Sequence, residues 1–372
     1  RNQPMKKNLK VSKILWSIEI ASLFLTSCLF VSCSKKKDAG IPALKFIDAI
    51  TSNYSPITHI AAENKIADKY GVHPQIEFSD TIEPLLTGKA DGRLNGLPPS
   101  VLNAANGADI FIFAGTMSGG HIIFANKKVA GELSDPRNYR GHSIGVRPQV
   151  TNQFVLPAAL KEKFGYTEKD YTLKYYDSDN AALAACAKGD VDIAPVYYAE
   201  RETALSLGLV QIAELVDLFP DYACCRQTAN GQKLRSDRNL FVSWTKSLIV
   251  AWKVYVQNHD EALRVVQKIT KQDENWAYDH IYNDEITAHI SFHPDPDYNG
   301  VLAQYGIYKD LGYVSENPRP LVEFFDISIY ADALQSVIGE NPEDSFYKDM
   351  WAYFVRHNDK YPDFYKNYPR EI

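Results

Sequence analysis

The chain has 372 residues, 45% hydrophobic and 23% charged, long enough to build two hydrophobic cores and ordinary in composition for a globular protein. A formal net charge of −6 with both signs interspersed leaves no basic stripe, which argues against nucleic acid as a partner. Twenty-three Tyr and five Trp exceed what packing usually needs, and a flat ring with a hydrogen-bonding tip suits capture of a small ligand.

Met5 opens a basic run through Lys6 and Lys7 that leads into a mostly apolar stretch, Ile14 to Val31. This is the layout of an export signal, with Arg1–Pro4 upstream of its start. A membrane span is disfavoured, because Glu19 interrupts the stretch and Ile20 to Val31 alone is too short for a bilayer core of about 30 Å. Two overlapping segments resemble a lipobox, Leu25-Thr26-Ser27-Cys28 and Phe30-Val31-Ser32-Cys33. The first fits better by letter. The second is favoured physically, because cleavage at Cys28 would leave Leu29-Phe30-Val31 as an apolar stub, whereas Cys33 is followed at once by Ser34-Lys35-Lys36-Lys37. Residues 1–33 therefore read as a signal peptide, with acyl chains on Cys33 (alternatively Cys28) anchoring the protein to the membrane, and residues 34–43 as a polar tether.

The next 170 or so residues repeat themselves. Phe78-Ser79-Asp80, an apolar helix through Leu85-Leu86, then Gly88-Lys89-Ala90-Asp91 recurs as Tyr176-Asp177-Ser178-Asp179, a helix through Ala181 to Cys186, then Gly189-Asp190-Val191-Asp192. Gly88 to Gly189 and Asp91 to Asp192 share an offset of 101 residues, as do Gly107 and Gly208. In each unit the glycine is expected to end a helix in the left-handed conformation and the aspartate to turn the chain into the next strand. The expected strands are Leu44–Ile50, Pro74–Phe78, Gly92–Asn95 and Ile110–Ala114, then His142–Val146, Thr172–Tyr176, Asp192–Pro195 and Leu209–Ile212. Strands alternating with helices build mostly parallel sheets with helices on both faces, and two such lobes in series present strand ends that face each other across a cleft.

Beyond the second unit the chain is expected to cross back near Phe219-Pro220 and turn helical, with one helix over Phe241–His259 and another over Ala262–Lys271. The domain reading is thus 44–140 with 220–372 as the first lobe, including a C-terminal helical extension that wraps it, and 141–219 as the second. Three cysteines follow the lipobox, Cys186, Cys224 and Cys225; their placement implies no disulfide framework and no metal spacing.

Four stretches carry a family resemblance: Ala61 to Val72, Leu86-Thr87-Gly88-Lys89-Ala90-Asp91, Tyr139 to Val146, and Ala187-Lys188-Gly189-Asp190-Val191-Asp192. In order and spacing the chain from Leu44 to Lys271 resembles the nitrate/sulfonate/taurine and thiamine-pyrimidine branch of ABC-transporter substrate-binding proteins (NMT1/THI5-like, SsuA-like). The resemblance implies an α/β type II periplasmic-binding fold of two wound lobes. It further implies an exported monomeric binder of a small molecule with a permease and an ATPase as partners, no cofactor and no catalytic residues. Arg147-Pro148-Gln149-Val150 replaces the glycine-rich turn common in that family, which weakens the case for one specific small oxyanion. The alternative is a pyridoxal-phosphate-dependent pyrimidine synthase-like enzyme on the same fold, against which the export signal argues.

Strand ends supply the candidate ligand contacts. Asn53 and Tyr54 follow the first strand, just ahead of a helix near Pro56. Ser118, Gly119, Gly120 and His121 follow the fourth, where paired glycines admit close backbone approach. Gln149, Thr151 and Asn152 precede a helix over Phe154–Phe164, and either serve a ligand or cap that helix. Tyr197, Tyr198 and Glu200 stand at the corresponding strand end of the second unit. Cys224, where the chain recrosses, is a further candidate or, with Cys225, a buried small hydrophobe.

Overall fold

Leu44, Phe46 and Ile47 in the strand Ala43–Asp48 (β1) are almost fully buried, as a strand covered on both faces demands. The computed structural model describes residues 40–49, 55–220 and 222–372. The remaining strands, in chain order, are His73–Phe78 (β2), Gly92–Arg93 (β3), Ile110–Ser118 (β4), His121–Ala125 (β5), Ser143–Val146 (β6), Thr172–Tyr175 (β7), Ile193–Tyr197 (β8), Val210–Glu214 (β9) and Ala223–Asn230 (β10). They form two five-stranded sheets, ordered β2-β1-β3-β10-β4 and β7-β6-β8-β5-β9.

The two sheets are built alike. In the first, β1 runs parallel to β2 and β3, and β10 inserts antiparallel between β3 and β4. In the second, β6 runs parallel to β7 and β8, and β5 inserts antiparallel between β8 and β9. Each lobe thus receives one strand from the chain that has just crossed from the other. The repeat predicts the turns correctly: Gly88, Gly189, Gly107 and Gly208 all have φ between +71° and +103°. The paired aspartates do the same work in each lobe. The Asp91 carboxylate accepts the Lys45 N–H at 2.8 Å while its own N–H donates to the Lys45 carbonyl, and Asp192 repeats this with Ser143 at 2.9 Å.

Two expectations are corrected. The repeat pattern places the first lobe's boundary at residue 140, but β5 pairs in the second sheet, so the chain crosses at Gly119-Gly120. The cause lies in β5 itself, where all five residues are buried and a central strand needs a neighbour at each edge. The chain returns to the first sheet between Phe219 and β10.

The C-terminal extension wraps the first lobe but does not stop there. The helix Ser328–Glu340 packs on the helix Arg238–Gln257, whose Trp244 and Phe241 fill the lobe's core. Residues 291–295 cover the edge of β4: Ser118 and Ser291 exchange backbone hydrogen bonds, and the Gly115 N–H donates to the Pro294 carbonyl at 2.7 Å. Arg226, fully buried in β10, locks this segment down, donating to Asp297 Oδ2 and the Pro296 carbonyl at 2.8 Å each. The helix Tyr298–Asp310 then reaches the second lobe, where Tyr308 and Tyr313 pack edge-on against Phe154 at 4.9 and 4.7 Å.

Candidate functional site

At the carboxyl ends of β1, β3, β6 and β8 the lobes enclose a cavity of about 440 Å³, the place where open α/β sheets hold ligands. Its walls come from three sources: the first lobe, the second lobe, and the returning strand β10.

Arg93 forms the floor on the first lobe. An arginine on a two-residue strand between β1 and β10 is 4% exposed. Its Nη1 donates to the Asn95 and Gly96 carbonyls at 2.7 and 2.6 Å, and its Nε has no partner among the described residues. Burial pulls its pKa down, against the fields of Cys225 and the carboxylates of Asp48, Asp80 and Glu83. A Cβ on Gly96 would sit 2.5 Å from both terminal guanidinium nitrogens, so the bend beside Arg93 requires glycine. Behind it Asn95 donates to Asp48 Oδ1 at 2.5 Å, and Asp48 Oδ2 lies 3.1 Å from His59 Nε2.

The second lobe contributes the loop after β6 and the start of two helices. Gln149 adopts φ +60° and is held there by its own N–H, which donates to Gln153 Oε1 at 2.6 Å. The helix begins at Thr151 rather than Phe154, after the extended residue Val150, which makes no side-chain cap. Thr151 and Asn152 therefore do not cap it. Thr151 Oγ1 donates to the Cys224 carbonyl at 3.2 Å, tying this lobe to the hinge, and Asn152 Nδ2 donates to the Pro195 carbonyl at 2.6 Å. Among the described residues Asn152 Oδ1 is left without a partner, as is Oδ1 of Asp179 in the first turn of the helix Asp179–Lys188. Burial raises the Asp179 pKa, opposed by Arg147 and the Tyr197 backbone N–H.

His121 and Tyr197 close the back of the cavity. The Tyr222 hydroxyl accepts the His121 backbone N–H at 3.0 Å and lies 2.9 Å from Nδ1. Burial pushes the imidazole pKa down to about 3, so the ring is neutral at physiological pH.

Successive strand residues normally face opposite sides, yet Cys224 and Cys225 both line the cleft. Register shifts around them explain it: Ala223 pairs with Ser118 and Cys225 with the adjacent Met117, so Cys224 is an extra residue in a bulge. The two Sγ atoms are 3.4 Å apart. Cys225 is the more acidic, because the Cys224 thiol, the Gly96 N–H and the guanidiniums of Arg93 and Arg226 outweigh its burial.

Among the sequence-derived candidates, His121, Gln149, Thr151, Asn152, Tyr197 and Cys224 meet in this cavity. Ser118 and Gly119 do not. They line a separate cavity of about 360 Å³ behind the hinge, with Asp297, Tyr353 and His357, and the Ser118 hydroxyl accepts from Arg226 Nη2 at 3.0 Å. Gly120 packs against Met117 and Tyr198. Tyr198 lies outside the cavity lining, its ring 4.7 Å from that of Tyr197 and its hydroxyl donating to the His280 carbonyl at 2.8 Å, and Glu200 is outside the lining too. Asn53, Tyr54, Cys28 and Cys33 lie outside the described residues. Arg93, Asp80, Asp179 and Cys225 escape the sequence reading. For Arg93 the signal was present, a charge inside the expected strand Gly92 to Asn95 of a mostly parallel sheet, whose strands are usually buried.

Two wound sheets that exchange an antiparallel strand and face each other across a cleft define the two-lobe type II periplasmic-binding-protein fold. No family model matches the chain, and no curated protein matches it in sequence. Solved structures share the fold. The periplasmic nitrate-binding protein NrtA of Synechocystis PCC 6803 superposes with a TM-score of 0.66 at 13% identity, over 80% of this chain and 89% of its own. The periplasmic aliphatic sulphonate-binding protein SsuA of Escherichia coli gives 0.61 at 14% identity, over 74% and 89%. DSZB in complex with biphenyl-2-sulfinic acid, a desulfurization enzyme, gives 0.59 at 13% identity, over 80% and 99%. The fold implied by the family resemblance is the fold observed.

Proposed function

We propose that this chain is the extracytoplasmic solute-binding component of an ABC importer. It takes a small organic solute, sulfonate- or nitrate-like or a pyrimidine-like heterocycle, into the interlobe cavity and presents the closed form to a permease and its ATPase. Anchoring through acyl chains at Cys33, or Cys28, would keep it at the membrane as a monomer. One observation carries the reading: the cavity of about 440 Å³ is shared by both lobes and spanned at its rim by Arg147 and Asp80, one from each. A ligand held by both lobes favours the closed arrangement, and closure is what a transporter can recognise. The similarity in fold to NrtA and SsuA supports it.

The likeness to DSZB keeps an enzyme as the rival class. A pyridoxal-phosphate enzyme in particular needs a lysine for its aldimine. Among the described residues lining the cavity the cations are Arg93 and Arg147, and there is no lysine. Calorimetry and thermal shift with nitrate, alkanesulfonates and aminopyrimidines test the proposal. Saturable one-to-one binding without turnover is expected; consumption of a bound solute, or an aldimine absorbance band in the purified protein, would falsify it.

A further inference from the structure

Buried polar atoms in folded proteins are nearly all hydrogen-bonded, so an unpaired one calls for an explanation. Among the described residues the buried side-chain atoms lacking a partner include Arg93 Nε, Asn152 Oδ1 and Asp179 Oδ1. All three of these residues line the same cavity. Their chemistry is divided by lobe: the first lobe offers a donor, and the second offers two acceptors. The orientation of the Asn152 amide is fixed by the Pro195 carbonyl, which accepts from Nδ2 at 2.6 Å, since a flipped amide would set oxygen against oxygen.

A plain oxyanion answers only half of this arrangement. It would pair with Arg93 but leave Asn152 Oδ1 and Asp179 Oδ1 without donors, and a buried acceptor so stranded opposes binding. Charge points the same way. The described lining carries the carboxylates of Asp80, Glu83, Asp177 and Asp179 against the guanidiniums of Arg93 and Arg147. An anion without donors enters a lining in which four carboxylates stand against two guanidiniums.

We infer that the cavity selects a small amphoteric solute. Its N–H donors, from an amine, amidine or amino-heterocycle, meet Asn152 and Asp179 on the second lobe, and its carbonyl or acidic oxygen meets Arg93 on the first. This rests on the solute-binding reading above and narrows it. Because each end of the solute serves one lobe, a molecule lacking either end satisfies one wall and gives no drive for closure. The requirement for both ends is then the specificity device, since a site with an unpaired buried acceptor rejects the analogue that lacks the donor.

Matched pairs differing only in the amino group test it by calorimetry on the full chain: taurine with ethanesulfonate, β-alanine with propionate, 4-aminopyrimidine with pyrimidine, and nitrate as the bare oxyanion. At least one amino member is expected to bind at least about tenfold tighter than its partner. That preference should collapse in Asp179→Asn, while Arg93→Met weakens both members of the pair. Nitrate or a des-amino partner binding as tightly as the amino member overturns the inference and leaves solute binding standing. No binding by any probe at millimolar concentration, in protein whose melting is cooperative, overturns both. Asn152→Leu supplies a second reading: it removes the acceptor and should shrink the preference for the amino member, and an undiminished preference counts against the assignment of that wall.

Discussion

Arg147 of the second lobe reaches across the cavity mouth to Asp80 of the first, with Nη2 3.5 Å from Oδ2. Both side chains are partly exposed, so the pair adds at most about 1 kcal/mol to stability. Its position matters more than its strength, because it forms only when the lobes are close. Arg147→Ala is expected to leave the melting temperature nearly unchanged and to raise the dissociation rate of a bound solute severalfold in stopped-flow measurements. An unchanged dissociation rate would remove the pair from the closing mechanism.

Asp295 is buried behind the hinge, accepting from Asn358 Nδ2 at 3.0 and 3.2 Å and from the Asp297 N–H at 2.8 Å. Burial first, and then the Asp297 carboxylate, push its pKa up to about 7, with Asn358 and His357 opposing. A carboxyl whose folded pKa is raised favours the native state when protonated. Its contribution is fully present below the ordinary carboxylate range and is lost as pH rises through about 7. Asp295→Asn keeps the shape and an acceptor for Asn358 without the charge. The variant should be more stable than the parent at pH 8 by on the order of 1–3 kcal/mol, and little different at pH 4. Equal denaturant midpoints at both pH values would show that the charge is not held there.

Gly119 and Gly208 have nearly the same backbone, φ +76° and +75°, but different surroundings. A Cβ at Gly208 meets nothing within 4 Å, so Gly208→Ala should cost only the left-handed strain, about 1 kcal/mol. A Cβ at Gly119 would lie 2.1 Å from the His289 carbonyl oxygen, which belongs to backbone that cannot swing aside. Gly119→Ala is expected to cost at least about 3 kcal/mol by urea unfolding. Equal losses would mean that the extension is not seated against the crossover.

Cys225, beside Arg93, and Cys186, whose thiol burial pushes up to about 12, provide an internal comparison. The thiolate is the reacting species. A small methanethiosulfonate reagent should therefore modify Cys225 faster than Cys186 by peptide mass spectrometry, and a bound solute should slow Cys225 alone. Equal rates, or no protection, would place Cys225 away from the ligand.

Much of the scaffold was legible because it is written locally. Helix-ending glycines and the aspartates after them recur at a constant offset, and each acts within a few residues of itself or on one neighbouring strand, so Asp91 and Asp192 were found in the roles they play. The candidate site was legible where a strand end alone aims a residue, as at Tyr197 and Asn152, and illegible where aim depends on a distant partner. Ser118 was assigned to the cleft by its place after the expected strand Ile110–Ala114, but Arg226, 108 residues away, draws it to the other side of the hinge.

By itself the amino-acid sequence determined the two wound units, their turns and the wedge of space between them, since apolar periodicity and backbone preference are properties of neighbours in the chain. Tertiary structure alone decided which sheet β5 enters, that a bulge opposite Met117 turns both Cys224 and Cys225 into the cleft, and that Arg93, Asn152 and Asp179 share one cavity with hydrogen-bonding capacity to spare. Those outcomes depend on strand pairing and burial between residues far apart along the chain, and such contacts leave no periodic trace in it.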